Sequence, residues 1–468
     1  MTNADVAAPV TAPGPSLDRF VHDLSFDALP DPVVRQAKRC LVDLAGTAAA
    51  GVGTSLSAII RAHAVEQYGS GGRGARMIFD GRRVSPAGAA LAGGMIIDSF
   101  DAHDGHVLTK GHAGAAVLPG LLAVLDAVEA PMDGKEFLTS LVLGYEIAIR
   151  AGIATHRISP DYHTSGAWNA LGVAALAARR LGLGTGKLRH ALGIAEYHGP
   201  RSQMMRCIDH PTMLKDGSGV GAMVGIGAAF LARDGFSGAP ALVVESADTA
   251  DIWDDLGTRW RILEMYFKPY PVCRWAHPAI RAVLDLRAAH AIVSDAVDSI
   301  EIHTFHEAAM LDHPAPADTE QAQYSLPFPV AAALVRGKLG PADIDGPALH
   351  DPAVLDLARR IRLFEDPALS ARFPAERYAS ARITLCDGRM FECAPVPAHG
   401  DCDTPLSDRQ ITAKFLEAAQ PTLTGADAAA MLQAIEDLEA PAAFERFIAR
   451  VLSPPRPRNA VGISRSAG

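Results

Sequence analysis

The sequence predicts a mainly α protein with an α+β part, a large helical domain plus a smaller mixed one, and three observations carry that reading. Apolar residues recur at helical spacing as far as about residue 260. The period then switches to alternation in 299–305 (SIEIHTF) and 381–385 (ARITL). Helical spacing returns at Ser407 and again near 426–452. The expected bounds are 17–266 for the first part of the helical domain and 267–404 for the α+β domain. Residues 405–455 should rejoin the first domain. The ends, 1–16 and 456–468, are expected to be flexible, being rich in Ala, Pro and small polar residues.

Each element has a local reason. Asp31-Pro32 reads as an N-cap with proline at the first helical position, ahead of the stripe Val33, Ala37, Leu41, Leu44 and Ala48. A short hairpin is expected over 76–84, turned by Asp80-Gly81. Ser85-Pro86 starts a helix toward Phe100, and Asp133 with Glu136 resembles a capping box before Phe137. Further helices are expected over 165–181, 186–196 and 217–233. The run Gly217 to Ala232 is the most apolar stretch by this reading, short of the roughly 20 residues that span a bilayer. It reads as a buried helix packed through small residues. Beyond 299–305 come helices at 328–337 and 350–362, then strands 381–385 and 389–393 around Asp387-Gly388.

Composition removes several function classes. With 468 residues, 49% hydrophobic and 21% charged, the chain sits in the globular range and can fill two domains. A net charge of −10 without a basic stripe gives nucleic acid no footprint. No positive n-region and apolar h-region open the chain, so a cytoplasmic protein with no membrane partner is expected. Six cysteines without a CxxC pair fit neither a disulfide framework nor a zinc or iron–sulfur run. An acidic protein that binds an anion must gather its cations in one pocket.

Four segments could make that pocket. In 98–112 (DSFDAHDGHVLTKGH), Asp98, Asp101, His103, Asp104, His106, Lys110 and His112 crowd fifteen residues behind an apolar helix. Titratable groups so dense beside a buried element suit acid–base work; a solvated loop is the bland alternative. Asp and His could also ligate a divalent ion, but no ligand spacing emerges. His163 in DYHTSG precedes a helix start, where backbone donors favour a carboxylate, though a lone histidine is as readily a cap. Lys215 in 206–219 (RCIDHPTMLKDGSG) precedes a Gly-rich helix and is either a fixed cation or a snorkelling surface residue. In 267–278 (FKPYPVCRWAHP), Lys268, Cys273, Arg274 and His277 fall where the period changes, at a domain seam or in a plain linker. Cys273 carries no nucleophile signature. The GxGxxG match at 69–74 follows a helix and opens none, which excludes a dinucleotide loop, and there is no Walker A sequence.

Together these segments resemble the MmgE/PrpD family over roughly residues 17–455. The landmarks are GHAGAAVLP (111–119), YHTSGAWNALG (162–172), KPYPVCRWAH (268–277), AQYSLPFPVAAAL (322–334) and GDCDTPLSDRQITAKF (400–415). The resemblance implies an MmgE/PrpD fold whose α+β part is a lid, a homodimer, and neither metal nor organic cofactor. It implies catalytic roles for Asp101, Asp104, His112, His163, Lys215, Lys268 and His277. It implies substrate contacts from His106, Arg206, Cys273, Tyr324 and Ser325. The sequence departs from the family pattern in places. A DFDD-type run reads FDAHDGH, and KPLH reads KDGS, with Ser218 for histidine. A lid tyrosine falls on Phe328, with Tyr324 one turn away.

The expected partner is a small di- or tricarboxylate, bound by Lys215, Lys268 and Arg206. Its chemistry would be proton movement alpha to a carboxylate, with the resulting charge stabilised by those cations. The leading expectation is a metal-independent hydro-lyase of the 2-methylcitrate dehydratase type. The alternatives are an epimerase of an imino- or amino-dicarboxylate, then a cis-aconitate-type decarboxylase, and last a non-catalytic binding protein. The resemblance disfavours decarboxylation, because decarboxylase-like members carry a histidine at the place of Cys273. A thiol is a poorer proton donor than an imidazolium.

Overall fold

The computed structural model describes residues 15–456. The flexible ends expected at 1–16 and 456–468 lie outside it, except Pro15 and Ser16, which open a helix, and Arg456. Several helix starts follow side-chain caps. The Ser85 hydroxyl accepts the Gly88 N–H at 3.1 Å ahead of Pro86–Asp98. The Asp133 carboxylate accepts the Glu136 N–H at 2.8 Å ahead of Gly134–Ile158. A reciprocal Ser407–Gln410 box opens Asp408–Ala419. At Asp31–Gly51 the cap is Pro30, one residue earlier than expected, because Asp31 already has helical backbone.

The helical core is built around Ser218–Arg233, which packs on Pro86–Asp98 and on Gly166–Arg180. A Cβ at Gly221 would stand 2.6 Å from the Gly166 carbonyl oxygen, so the backbones meet where only glycine fits. By length and composition a better membrane candidate than 217–232 is Gly134–Ile158, and 94% of its apolar window is buried inside the fold. The helices Asp408–Ala419, Gly425–Glu436 and Pro441–Val451 return to this core through Phe415, Met431, Phe444 and Phe447. Lys414 reaches farther, donating to Asp43 at 2.5 Å and to the Ala102 carbonyl in the acidic loop.

The second core belongs to a five-stranded sheet. Val297–Thr304 lies between a parallel neighbour, Ile361–Glu365, and an antiparallel one, Tyr378–Leu385. Met390–Glu392 and Val396–Pro397 both pair with Tyr378–Leu385. Ile300 faces Ile361 and Ile383, and Ile302 faces Leu363 and Ala381. The helices His277–His290 and Pro327–Arg336 pack in this layer. The helix expected over 350–362 is Pro352–Ala358 only. Ile361–Glu365 leaves it as an edge strand, held where Arg360 donates to the carbonyls of Val297 and Asp298. The two cores interlock at a seam. Phe100, Ala102, Met204 and Cys207 pack in the lid cluster, and Gly105–His106 pairs with Met265–Tyr266.

Candidate active site

The loop after Pro86–Asp98 turns Asp101 toward the lid. Its carboxylate, 4% exposed as a residue, receives the buried Lys268 ammonium in a close ion pair. Its backbone N–H donates at 2.7 Å to Gln323 Oε1, and the same oxygen accepts Lys215 Nζ at 2.5 Å. One lid amide therefore links Lys215 to the backbone of the residue whose carboxylate holds Lys268, although 53 residues separate the lysines in sequence. The Gln323 nitrogen donates to the Ser99 carbonyl and to Thr319 Oγ1, each at 3.0 Å, which fixes the amide's orientation. Burial pushes Asp101 upward, but Lys268, then His112, His103 and Lys215 outweigh it and hold it far below the ordinary carboxylate range.

His112 stands on the other side of Asp101, its Nε2 3.8 Å from Oδ1. His112 Nδ1 is 2.6 Å from the Asp104 carbonyl oxygen, which can only accept, so Nδ1 carries the proton and Nε2 keeps a free lone pair. Burial, then the Lys268 and His103 charges, push this imidazole well below its usual pKa. At neutral pH it is an uncharged base. His103 packs against it, ring centres 4.3 Å apart, and donates from Nε2 to Asp98 at 3.1 Å. The His112 N–H donates to Ser165 Oγ at 2.9 Å, and Ser165 donates to Asp216. Burial, then Asp98, raise the Asp216 carboxyl well above its ordinary range.

Lys215 holds φ +50°, a left-handed conformation that a side-chain-bearing residue adopts only under constraint. The adjoining Asp216 carbonyl supplies part of that constraint by accepting the Gly166 N–H at 3.1 Å. The Lys215 ammonium also lies 4.9 Å over the Tyr324 ring. Beside it opens a cavity of about 230 Å³, lined among others by Thr164, Arg206, Cys207 and Lys215. A wider cavity of about 670 Å³ lies between Asp31–Gly51 and the C-terminal helices, away from these groups. Buried charge, not volume, marks the site.

Several expected residues stand off this cluster. Asp104 turns into the helical core, accepting the Tyr145 hydroxyl, and burial, then Asp43, push it up to about 6. Its contribution to the cluster is the carbonyl that sets the His112 tautomer. His106 is buried and committed to Glu264 at 3.1 Å, next to the pairing of 105–106 with 265–266. His163 is held by the Asp161 carbonyl at 2.8 Å, with its own N–H 3.3 Å from His156 Nε2. His277 lies wholly inside the lid, donating to the Val272 carbonyl at 3.0 Å, and orders the turn that presents Cys273. Ser325, two residues ahead of Pro327–Arg336, accepts the Phe328 N–H at 3.1 Å, and Phe328 is buried in the lid core. Arg206 is exposed at the cavity rim. Cys273 is buried, its thiol pushed up to about 12 by burial and then Asp101.

Two members escape the sequence, and a third, His103, shows there only as part of the titratable loop. Gln323 lies inside a quoted motif but carries no signal of direction. Tyr266, a neighbour of His112 at 6.4 Å between ring centres, comes from the strand that closes the loop. The fold also gathers possible metal donors that spacing did not suggest. Single atoms of Asp101, His103 and His112 lie within 4.8 Å of one another. The Lys268 ammonium already occupies the Asp101 oxygen they would share, so the set suits an anion better than a cation.

Known proteins match this architecture across nearly its full length. Residues 16–251 match the MmgE/PrpD N-terminal domain, and residues 270–440 match the MmgE/PrpD C-terminal domain. The chain is 26% identical over 451 residues to the cis-aconitate decarboxylase of Mus musculus, covering 90% of this chain and 89% of that protein. It is 26% identical over 352 residues to the 2-methylcitrate dehydratase of Escherichia coli (strain K12), covering 66% and 70%. With both domains matched in order and the helical and α+β parts meeting at one charged seam, this chain belongs to the MmgE/PrpD family.

Proposed function

We propose that the protein is a metal-independent hydro-lyase that removes water from a small hydroxy-di- or tricarboxylate. The observation that carries the reading is the neutral His112, its Nε2 lone pair free, set beside Asp101 across from two buried lysines. In this reading the substrate carboxylate faces Lys215 and Lys268. His112 Nε2 takes the proton alpha to it, and the enediolate charge that develops is met by ammonium groups already in place. The C–O bond on the neighbouring carbon then breaks, and the imidazolium returns its proton to the departing hydroxide, so that water is the net product. Lys268 on Asp101 is why a divalent ion has no part in the proposal.

Decarboxylation is the second reading, favoured by the length of the match to cis-aconitate decarboxylase. It must reprotonate a carbanion, and the buried Cys273 thiol is a poor donor for that step. Epimerisation of an imino- or amino-dicarboxylate would share the first proton abstraction. One experiment separates the three. Purified protein in D2O is offered 2-methylcitrate, citrate, cis-aconitate and amino-dicarboxylates, with and without EDTA. Expected are deuterium alpha to a carboxylate and an unsaturated acid from a hydroxy acid, both indifferent to EDTA. Robust itaconate from cis-aconitate would make the protein a decarboxylase. Exchange with inversion and no loss of water would make it an epimerase. Activity lost to EDTA and restored by one divalent ion would turn Asp101, His103 and His112 into a metal site.

A further inference from the structure

Two imidazoles meet beside Asp101, and the dehydration proposed for this site employs only His112. His103 is 0% exposed, no more hidden than Lys268, and its ring centre stands 4.3 Å from that of His112 in an edge-on contact. Asp101, His103 and His112 each bring one atom within 4.8 Å of the other two, so His103 borders the same small space as the base. The two nitrogens of His103 differ. Nε2 donates to Asp98 Oδ1 at 3.1 Å. Nδ1 is buried and has no hydrogen-bond partner among the described residues. A buried polar atom left unsatisfied is costly, and here it lies beside the reacting groups.

Asp98 sets the state of this ring. One of its oxygens accepts from His103, and the other accepts the Ser218 N–H at 3.4 Å, at the positive end of a 16-residue helix. A carboxylate so close favours the charged form of an imidazole. His112 meets only a carbonyl at Nδ1, and the carboxylate 3.8 Å from its Nε2 is already claimed by Lys268. Two imidazolium rings 4.3 Å apart would repel, so the proton belongs to His103 and the lone pair to His112. Neighbouring groups whose surroundings drive their protonation apart give a site both an acid and a base at one pH. The two departures from the family pattern also meet here. FDAHDGH brings His103, KDGS brings Ser218 in place of a histidine, and Asp98 binds both.

We propose that His103, held by Asp98, is the general acid of the site, its Nδ1–H being a donor that lacks an acceptor until substrate arrives. The step assigned to it rests on the lyase reading. His112 Nε2 takes the alpha proton, and the C–O bond breaks as His103 Nδ1 gives its proton to the departing oxygen. Water leaves, with His112 charged and His103 neutral. One proton passing from His112 to His103 through solvent resets the pair. The proton that departs in the water thus comes from His103, and the one taken by His112 recharges the acid.

The test offers 2-methylcitrate, citrate and amino-dicarboxylates in D2O to the full chain and to His103→Asn, Asp98→Asn and His112→Asn. Deuterium exchange alpha to a carboxylate is followed beside release of the unsaturated acid. His103→Asn can still hydrogen-bond to Asp98 but carries no acid. It should exchange within about threefold of the unaltered protein and release the unsaturated acid roughly 100-fold or more slowly. Asp98→Asn should show the same split at about tenfold, and it decides if His103→Asn melts too low to assay. His112→Asn should lose both reactions. Exchange and water loss that fall together in His103→Asn, or that both persist, would overturn the assignment: a structural histidine moves both and an idle one neither. If the unaltered protein exchanges but releases no water, the lyase reading falls instead. The acid is then judged on inversion, which His103→Asn should abolish while exchange continues; inversion that persists would remove His103 as the acid.

Discussion

Asp101 and Asp104 lie three residues apart in one loop, both fully buried, yet their carboxylates are in opposite electrostatic states. Asp101 faces the lid, meets Lys268 and is held far below the ordinary range. Asp104 faces the helical core, where burial and then the Asp43 charge push it up to about 6 against the opposing hydrogen bond from the Tyr145 hydroxyl. The partner across the loop, not burial, decides which state a carboxylate takes. Their linkage to folding has opposite signs. The lowered Asp101 contributes stability that is present above the unfolded carboxylate range, about 4, and lost as pH falls below it. The raised Asp104 favours folding below about 4, and that contribution is lost as pH rises through about 6.

The strongest way to break this contrast is Lys268→Met, which strands the Asp101 charge. Urea unfolding should show a loss of about 3–5 kcal/mol, most of it regained when Asp101→Asn is added. If the double variant is no better than the single, the pair is not what sets Asp101. Lys215→Met should behave differently, because Lys215 meets a neutral amide and a ring face, not a carboxylate. Its fold should largely persist while kcat/KM falls by about 2–5 kcal/mol of transition-state stabilisation. Near-normal turnover would remove Lys215 from the anion pocket.

Asp104→Asn sharpens the comparison from the other side. It should raise stability at pH 7 by up to ~3 kcal/mol, the value of a shift of about two units, and flatten the pH dependence between about 4 and 6. An unchanged pH profile by thermal melting would mean that Asp104 ionises as an ordinary carboxyl. His106→Gln is the smallest change expected. It should cost about 1 kcal/mol of stability through the Glu264 contact and leave kcat/KM within about twofold, since its ring is committed to Glu264.

Much of the frame was legible in the sequence because local chemistry dictates it. Ser85, Asp133 and Ser407 announce helix starts by accepting backbone N–H groups that nothing else could satisfy. The alternation at 299–305 and 381–385 survives as paired strands because one face of each is buried. Ile361–Glu365 was hidden because five residues of apolar spacing extend a helical stripe as well as they make an edge strand. Among site residues, charge density located the loop but not its two faces. The direction of Asp101, Asp104 and His106 depends on a strand pairing with residues 265–266. Gln323 and Tyr266 were missed for the same reason: their roles come from partners that lie far away in sequence.

The anchor that Lys414 provides adds a matter of timing. Its ammonium holds the Ala102 carbonyl from 312 residues downstream. At ribosomal rates of about 5–20 residues per second, the loop emerges roughly 15–60 s before the helix that fastens it. During that interval the nascent chain has the acidic and histidine groups of the site without the strut behind them. Assembly of the pocket is therefore among the last events of biosynthesis, and a chain truncated before Lys414 would keep the loop's sequence but lack that tether.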